Sequence, residues 1–367
     1  MSLSRGSICI FLLVMLVTAL AVCPALGESL TATPAQSVVP VTTEAPASVN
    51  PSAEPSAPPE TTEAPTDTVA ESASPAPEQT TTAEPETAVT EEPLDFSSRV
   101  LTGQRIPWDV TVMPNVPHAK AYLPDNAGYQ DTSLDIRVET MRRDDTDIML
   151  VYVRIADPTQ LRCTTPTTRL ACRSKAPVSA MAKNVNAVLA INGDYYSYHS
   201  DGIVIRNGER FREKPNKGRD TLIIDDKGDF TILAPTTPEA YETFEGNIIH
   251  AFCFGPGLVV DGQPLTNLDT VELDVGKSKK TQRIAIGQLD HLSYLIVTTE
   301  GPENKGSVGF DLLQMAALCK ELGCVNAYNL DGGSSSTIVL NNEKINALSS
   351  RKIRSVGDCI FFATLEP

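Results

Sequence analysis

Three consecutive pieces of sequence decide the fold: Leu292-Ser293-Tyr294-Leu295-Ile296-Val297-Thr298-Thr299-Glu300-Gly301, then Phe310-Asp311-Leu312-Leu313-Gln314-Met315-Ala316-Ala317-Leu318-Cys319-Lys320-Glu321-Leu322-Gly323, then Val325-Asn326-Ala327-Tyr328-Asn329-Leu330-Asp331-Gly332-Gly333. The first is a short apolar run and reads as a strand over Leu292–Thr299. In the second, Leu312, Met315, Leu318 and Leu322 line one face of a helix, and Gly323 is placed as its C-cap. The third returns to strand over Val325–Leu330. Together they predict a βαβ crossover with parallel strands and the right-handed sense such connections take. Parallel strands end on one edge, so Glu300 and Asp331 are expected together at the carboxyl edge, where open α/β sheets place their ligand crevices.

Working outward, Ile148–Val153 and Ala187–Ile191 are further buried-strand runs, and the second ends in Asn192-Gly193-Asp194. Turn chemistry announces hairpins at Asn207-Gly208, Lys227-Gly228, Asp261-Gly262 and Asn341-Asn342, because these residues accept the positive φ of two-residue turns. A second, shorter helix is expected over Pro177–Asn184. The pattern is α+β, mixed α/β in its connections: a twisted mixed β-sheet core with a βαβ unit near the C-terminus and several hairpins.

Composition divides the chain into three. Residues 1–27 hold Arg5, an apolar run from Ile8 to Val22 and a small-residue ending at Ala25-Leu26-Gly27. That run is short of the roughly 20 residues a membrane span needs, so the reading is a signal peptide cleaved before Glu28, with an uncleaved anchor or lipidation at Cys23 as alternatives. Residues 28–97 form a linker. Its stretch 28–95 contains 13 acidic residues, 12 prolines and 13 threonines, with no Gly, Lys, Arg or aromatic residue. Nothing there can bury enough apolar surface to oppose ordering entropy, which predicts an extended, disordered, Thr/Pro-rich spacer. The net charge of −16 is therefore mostly the linker's, and the remaining 98–367 is close to neutral. Roughly 270 residues suffice for one large domain that buries about three quarters of its unfolded surface. No basic surface suited to nucleic acid exists, and membrane association is expected only through an uncleaved anchor.

Export makes disulfides permissible for Cys163, Cys172, Cys253, Cys319, Cys324 and Cys359, with Cys163–Cys172 the first expectation. No Cys-x-x-Cys occurs and the four histidines are scattered, so neither a metal nor another cofactor is expected.

The most specific stretch for chemistry is Asn329-Leu330-Asp331-Gly332-Gly333-Ser334-Ser335-Ser336-Thr337. A glycine pair lets backbone approach a ligand and aim N–H groups at an anion, and the hydroxyls add donors. It is not the G-x-S-x-G turn of a serine hydrolase, and no histidine is evidently paired with Ser335. Arg283, heading the strand Arg283–Gly287, reads either as a solvated edge charge or as a bidentate clamp for phosphate. Phe254-Gly255-Pro256-Gly257 reads as a structural bend. Tyr195 and Tyr196 read as a sugar platform or as core.

Ala190-Ile191-Asn192-Gly193-Asp194-Tyr195-Tyr196, Gly255-Pro256-Gly257-Leu258-Val259, Arg283-Ile284-Ala285-Ile286-Gly287 and Asn329-Leu330-Asp331-Gly332-Gly333-Ser334-Ser335, in this order, resemble the phosphodiester glycosidase family. The resemblance is close over 175–365 and looser over 100–175. Asp194 stands where the family often has glycine, Ser334 where it has a third glycine, and Ile284 where it has threonine. The family implies hydrolysis of a sugar-1-phosphodiester, GlcNAc-1-phosphodiester-like, at the anomeric C–O bond, with a glycan phosphodiester as substrate. A phosphate leaving group needs cationic and N–H stabilisation more than a proton, a role assigned to Arg283 and the backbone of Gly332 and Gly333. The anomeric centre needs a carboxylate, with Asp331 first and Glu300 and Asp194 next. Asn192, Ser334, Ser335 and Tyr195 complete the expected substrate contacts. The competing expectation is a catalytically silent carbohydrate- or wall-binding module on a stalk.

Overall fold

A computed structural model describes residues 99–367 except 168–173, 217, 270, 274–275, 303, 305 and 348–352. The leader, the linker and Cys172 lie outside the described residues. The described chain opens with β1 (Gly128–Gln130), β2 (Leu134–Arg143), β3 (Thr146–Ile155) and β4 (Leu161–Thr164). Helix α1 (Val178–Asn184) leads into β5 (Leu189–Asn192), followed by β6 (Gly202–Arg206), β7 (Glu209–Lys214), β8 (Thr221–Asp225) and β9 (Phe230–Leu233). After the short α2 (Pro238–Glu242) come β10 (Ile248–Phe252), β11 (Gly257–Val260), β12 (Gln263–Pro264), β13 (Arg283–Asp290) and β14 (Ser293–Thr299). Helix α3 (Leu312–Glu321) then precedes β15 (Asn326–Asn329), β16 (Ile338–Leu340), β17 (Glu343–Lys344) and β18 (Cys359–Phe362).

These strands make an eight-stranded sheet in the order β1-β2-β3-β14-β13-β15-β11-β12, and two five-stranded sheets, β7-β6-β10-β8-β9 and β17-β16-β5-β18-β4. Inner faces of all three meet in one core, where Ile284, Ile286, Tyr328 and Leu330 of the large sheet pack with Leu189, Ile191, Ile360 and Phe362 of the β5 sheet and with Leu222, Ile224 and Phe252 of the third. Strand alternation sends the intervening residues outward. Ala285, Leu295 and Val297 thus face Leu312, Met315 and Leu318 of α3, while Ala190 and Phe361 face Val178 and Met181 of α1.

The architecture is α+β, and each ladder between described strands is antiparallel. Strands β14 and β15 do run in the same direction, but α3 carries the chain past one neighbour: β13 lies between them, antiparallel to both. Hairpin chemistry explains this, since Leu292 at φ 54° lets β13 fold straight back into β14. Both of Asn207-Gly208, Asp261-Gly262 and Asn341-Asn342 have positive φ, as two-residue turns require. Helix α3 begins with an Asp311–Gln314 capping box and ends at Gly323, φ 89°. No helix among the described residues is long and apolar enough to cross a membrane. The cysteines Cys163, Cys253, Cys319, Cys324 and Cys359 are buried free thiols, so Cys163 carries no bridge.

Candidate active site

The site forms where the chain leaves the large sheet for the β5 sheet. Residues 331–337 make that passage, from the end of β15 to the start of β16, and the end of β5 and the start of β18 lie against it. Register explains the convergence: Asn192 at the end of β5 pairs with Cys359, and Ile191 pairs with Ile338.

Asn192 is the clip. Its fully buried amide donates to the Asp331 carbonyl at 2.9 Å and accepts the Thr337 N–H at 3.0 Å, so one side chain holds both ends of the Gly-Gly turn. Gly332 is required by close approach, because a Cβ there would lie 2.8 Å from the Gln282 carbonyl. Gly333 adopts φ 58° and spends its N–H on that same carbonyl at 2.8 Å, which leaves this amide unavailable to an anion.

Asp331 is half-buried at the bottom of a narrow cleft whose lining includes Lys175, Asp194, Tyr195, Tyr198, Ser335 and Arg354. Burial raises its carboxyl above the ordinary value of 3.8, and the Asp194 charge adds to the rise; Ser335, Arg354 and Lys175 pull the other way. The cations sit at the rim: Lys175 and Arg354 are exposed, Arg354 Nη1 reaching Ser334 Oγ at 3.4 Å and Lys175 Nζ donating to the Tyr198 hydroxyl. That contact lowers the Tyr198 phenol from its ordinary range. Tyr195 and Tyr198 stack at 4.1 Å between ring centroids with planes 10° apart, and Tyr195 meets the edge of Phe254 at 5.9 Å. Tyr196 belongs to the core instead, its hydroxyl donating to the Gly357 carbonyl at 3.3 Å.

Asp194 lines the cleft but is committed. It is buried, accepts the N–H groups of Tyr196 at 3.0 Å and Cys253 at 2.9 Å, and lies 3.1 Å from Arg206 Nη2. Glu300 and Asp331 do share a sheet edge, but β13 separates their strands by two spacings, about 10 Å. Glu300 lines another cavity, of about 470 Å³ beside Asp147 and Asn304, where burial raises its carboxyl and it accepts the Ala347 N–H at 3.1 Å. Arg283 is neither solvated nor free to clamp a ligand. Its buried guanidinium donates to the carbonyls of Phe310 at 3.2 Å, Gly276 at 2.7 Å and Lys279 at 2.9 Å, on the α3 side of the sheet.

Lys175, Tyr198, Arg206, Arg354 and Asp358 escape sequence reading. Arg354 and Lys175 lie in irregular segments without periodicity. Arg206 carried a signal, a charge closing the apolar run Ile203-Val204-Ile205, as did Asp358 just before Cys359-Ile360-Phe361-Phe362. Among the described residues no three His, Cys, Asp or Glu side chains are grouped to hold a metal ion. Another cavity, of about 690 Å³ beside Trp108, is lined by the carboxylates Asp109 and Glu209 but has no pair of exposed cations like Lys175 and Arg354.

The sequence profile of the phosphodiester glycosidase family matches residues 185–363. That region, residues 185–363, is similar to the phosphodiester glycosidase family. Over 192 residues it is 28% identical to the SPbeta prophage-derived uncharacterized protein YomE of Bacillus subtilis (strain 168), a match covering 51% of this chain and 29% of that protein's length. The fold is similar to that of the catalytic domain of zebrafish N-acetylglucosamine-1-phosphodiester alpha-N-acetylglucosaminidase, auto-inhibited by its pro-peptide: TM-score 0.53, 18% identity, 63% of this chain and 83% of that one. A hypothetical protein from Synechocystis aligns over 62% of each chain with TM-score 0.45 and 15% identity.

Within the matched region, Gly193 is a test of how tightly the cleft is assembled. A Cβ on it would meet Asp358 Oδ1 at 2.3 Å, and that carboxylate is buried and pinned by Arg206. Gly193→Ala is expected to cost about 1–3 kcal/mol through overpacking. An unchanged urea midpoint would contradict the close approach.

Proposed function

We propose that this protein is an exported glycosidase that hydrolyses a sugar-1-phosphodiester, GlcNAc-1-phosphodiester-like, at the anomeric C–O bond, on cell-surface or extracellular glycans. The observation that carries the reading is the polarity of the cleft: a partly desolvated carboxylate, Asp331, at the floor and two exposed cations, Lys175 and Arg354, at the rim. A sugar-1-phosphodiester has the matching polarity, with an electron-poor anomeric carbon next to an anionic leaving group.

Roles follow from the chemistry. The departing phosphate monoester is a weak base and needs charge stabilisation more than a proton, which Lys175 and Arg354 supply from flexible side chains. Ionised Asp331 supports the oxocarbenium-like carbon as nucleophile or as base for water. The stacked Tyr195 and Tyr198 present ring area for an apolar sugar face. Asn192 and the Gly332–Ser335 turn fix the carboxylate. With Lys175 against Tyr198 the cleft encloses only about 10 Å³, so a sugar enters by displacing these exposed side chains. Export rests on the leader sequence, and the acidic Thr/Pro-rich segment then serves as the spacer.

The test is release of free sugar from a GlcNAc-1-phosphodiester by the full chain, alongside Lys175→Ala and Arg354→Ala. Each substitution is expected to raise KM about tenfold or more, the scale of one charge-assisted hydrogen bond, with the wild-type KM rising with salt. No turnover across a panel of sugar-1-phosphodiesters, with sugar binding retained, identifies a binding module instead.

A further inference from the structure

Beneath the cleft lies a group of charges that no catalytic role requires. Arg206, at the end of β6 and 3% exposed, is enclosed with two carboxylates, Asp194 after β5 and Asp358 before β18. Its Nε and Nη2 both lie 2.8 Å from Asp358 Oδ2, and Nη2 is 3.1 Å from Asp194 Oδ1. Nη1 donates to the carbonyls of Ile205 and Ala251, and the guanidinium lies 4.0 Å over the Phe252 ring. Two carboxylates therefore share one cation in a site closed to water.

The three side chains come from three places in the chain, and two of those places build the cleft. Asp194 begins the turn carrying Tyr195 and Tyr198, and Asp358 ends the segment carrying Arg354. Gly193 seals the junction, its N–H donating to the Asp358 carbonyl at 3.1 Å. We propose that the Arg206–Asp194–Asp358 triad is the positioning centre of the site, clamping the β5 turn to the segment before β18 and setting the charge that Asp331 experiences. The proposal takes from the proposed function only that Asp331 is the working carboxylate.

Electrostatics supports the geometry. Asp331 is faced by Asp194, Lys175 and Arg354, with Tyr198 on the cleft wall. Asp358 is faced by Arg206, Asp194 and Asp331, with the neutral thiols Cys163 and Cys359 and the Tyr196 phenol nearby. Burial pushes the Asp358 carboxyl up to about 7 against the pull of Arg206, and the charges of Asp194 and Asp331 add to the rise. His250, on the far side of Arg206, is held neutral by burial and by that guanidinium. Coupling between titrating groups is reciprocal, so an ionised Asp358 raises Asp331 as Asp331 raises Asp358.

The experiment is a carboxyl titration by NMR on the full chain with 13Cγ-labelled aspartate, the Asp331 resonance being identified by its loss in Asp331→Asn. Asp358→Asn keeps the shape and removes one negative charge; Asp194→Asn removes the other and also loses one of the two backbone N–H bonds, from Tyr196 or Cys253, that the carboxylate accepts. Asp194→Asn is expected to lower the Asp331 midpoint by about half a pH unit or more, the direction for losing a like-charged neighbour, and to move the acid limb of kcat/KM by the same amount; Asp358, protonated where Asp331 titrates, imprints instead a second inflection near pH 7 on the Asp331 curve, which Asp358→Asn is expected to remove. An Asp331 midpoint unmoved in Asp194→Asn, together with an Asp331 curve unchanged in Asp358→Asn, overturns the proposal. Should neither variant fold, the wild type decides: a two-step Asp331 curve with a second inflection at the Asp358 midpoint supports it, and a single independent step overturns it. A shifted midpoint without turnover leaves the triad standing and removes the glycosidase reading alone.

Discussion

Asp331→Asn is expected to lower kcat for sugar-1-phosphodiester hydrolysis by about a thousandfold, within the range set by losing a positioned catalytic carboxylate. The amide keeps the volume but carries no charge for the anomeric carbon. Stability should move the other way. Because burial raises the Asp331 carboxyl above its unfolded value, its contribution to stability is full below about pH 4 and is lost as pH rises through the folded midpoint. Asparagine has no charge to desolvate, so the thermal midpoint at pH 7 should hold or rise. The acid limb of kcat/KM in the wild type should correspondingly lie above the usual carboxylate range, and removing Arg354 or Lys175, which favour the ionised form, should move it higher still. A variant retaining wild-type kcat would show that the carboxylate has no chemical task.

The second large effect is on folding. Arg206→Met leaves Asp194 and Asp358 buried without their cation, and breaking a buried ion cluster from one side costs about 3–5 kcal/mol. The orphaned carboxylates escape the cost by binding protons, so the loss, read from urea unfolding, should be largest near neutral pH and shrink toward pH 4. Adding Asp194→Asn and Asp358→Asn to the same chain should recover much of the stability, since neutral groups of similar shape no longer need the guanidinium. A loss independent of pH would assign the effect to packing against Phe252 and not to charge.

These two residues also mark how far the sequence could be read. Secondary structure was legible where local chemistry is decisive: paired positive-φ residues announced the hairpins, and the Leu312–Leu322 spacing with Gly323 announced α3. The parallel relation of β14 and β15 was legible too, but not the insertion of β13 between them, because strand order depends on which strands pair across the sheet and not on either strand's composition. Asp331 stood out because a glycine pair and a run of hydroxyls follow it at a strand end. Arg206, Asp358 and Arg354 did not, since their partners lie far along the chain, Arg206 and Asp358 being 152 positions apart. Arg283 illustrates the converse difficulty. Strand alternation places it opposite Ile284, but only the packed α3 and the 276–279 segment supply the carbonyls that occupy its guanidinium.

Asp194 is instructive for the same reason. A carboxylate beside glycine at a strand end is a fair candidate for chemistry, and it does reach the cleft wall. Its two backbone N–H partners and its contact with Arg206 assign its oxygens to holding the turn. The carboxylate at this position is thus matched by a cation, Arg206, inside the fold.

The most direct test of the central claim is hydrolysis of a GlcNAc-1-phosphodiester by the full chain in 18O-enriched water, with both products analysed by mass spectrometry. Attack at the anomeric carbon, the reaction proposed for Asp331, Lys175 and Arg354, places the label in the free sugar and none in the phosphate monoester. Label in the phosphate, or release of sugar-1-phosphate, would mean P–O cleavage and would contradict the account.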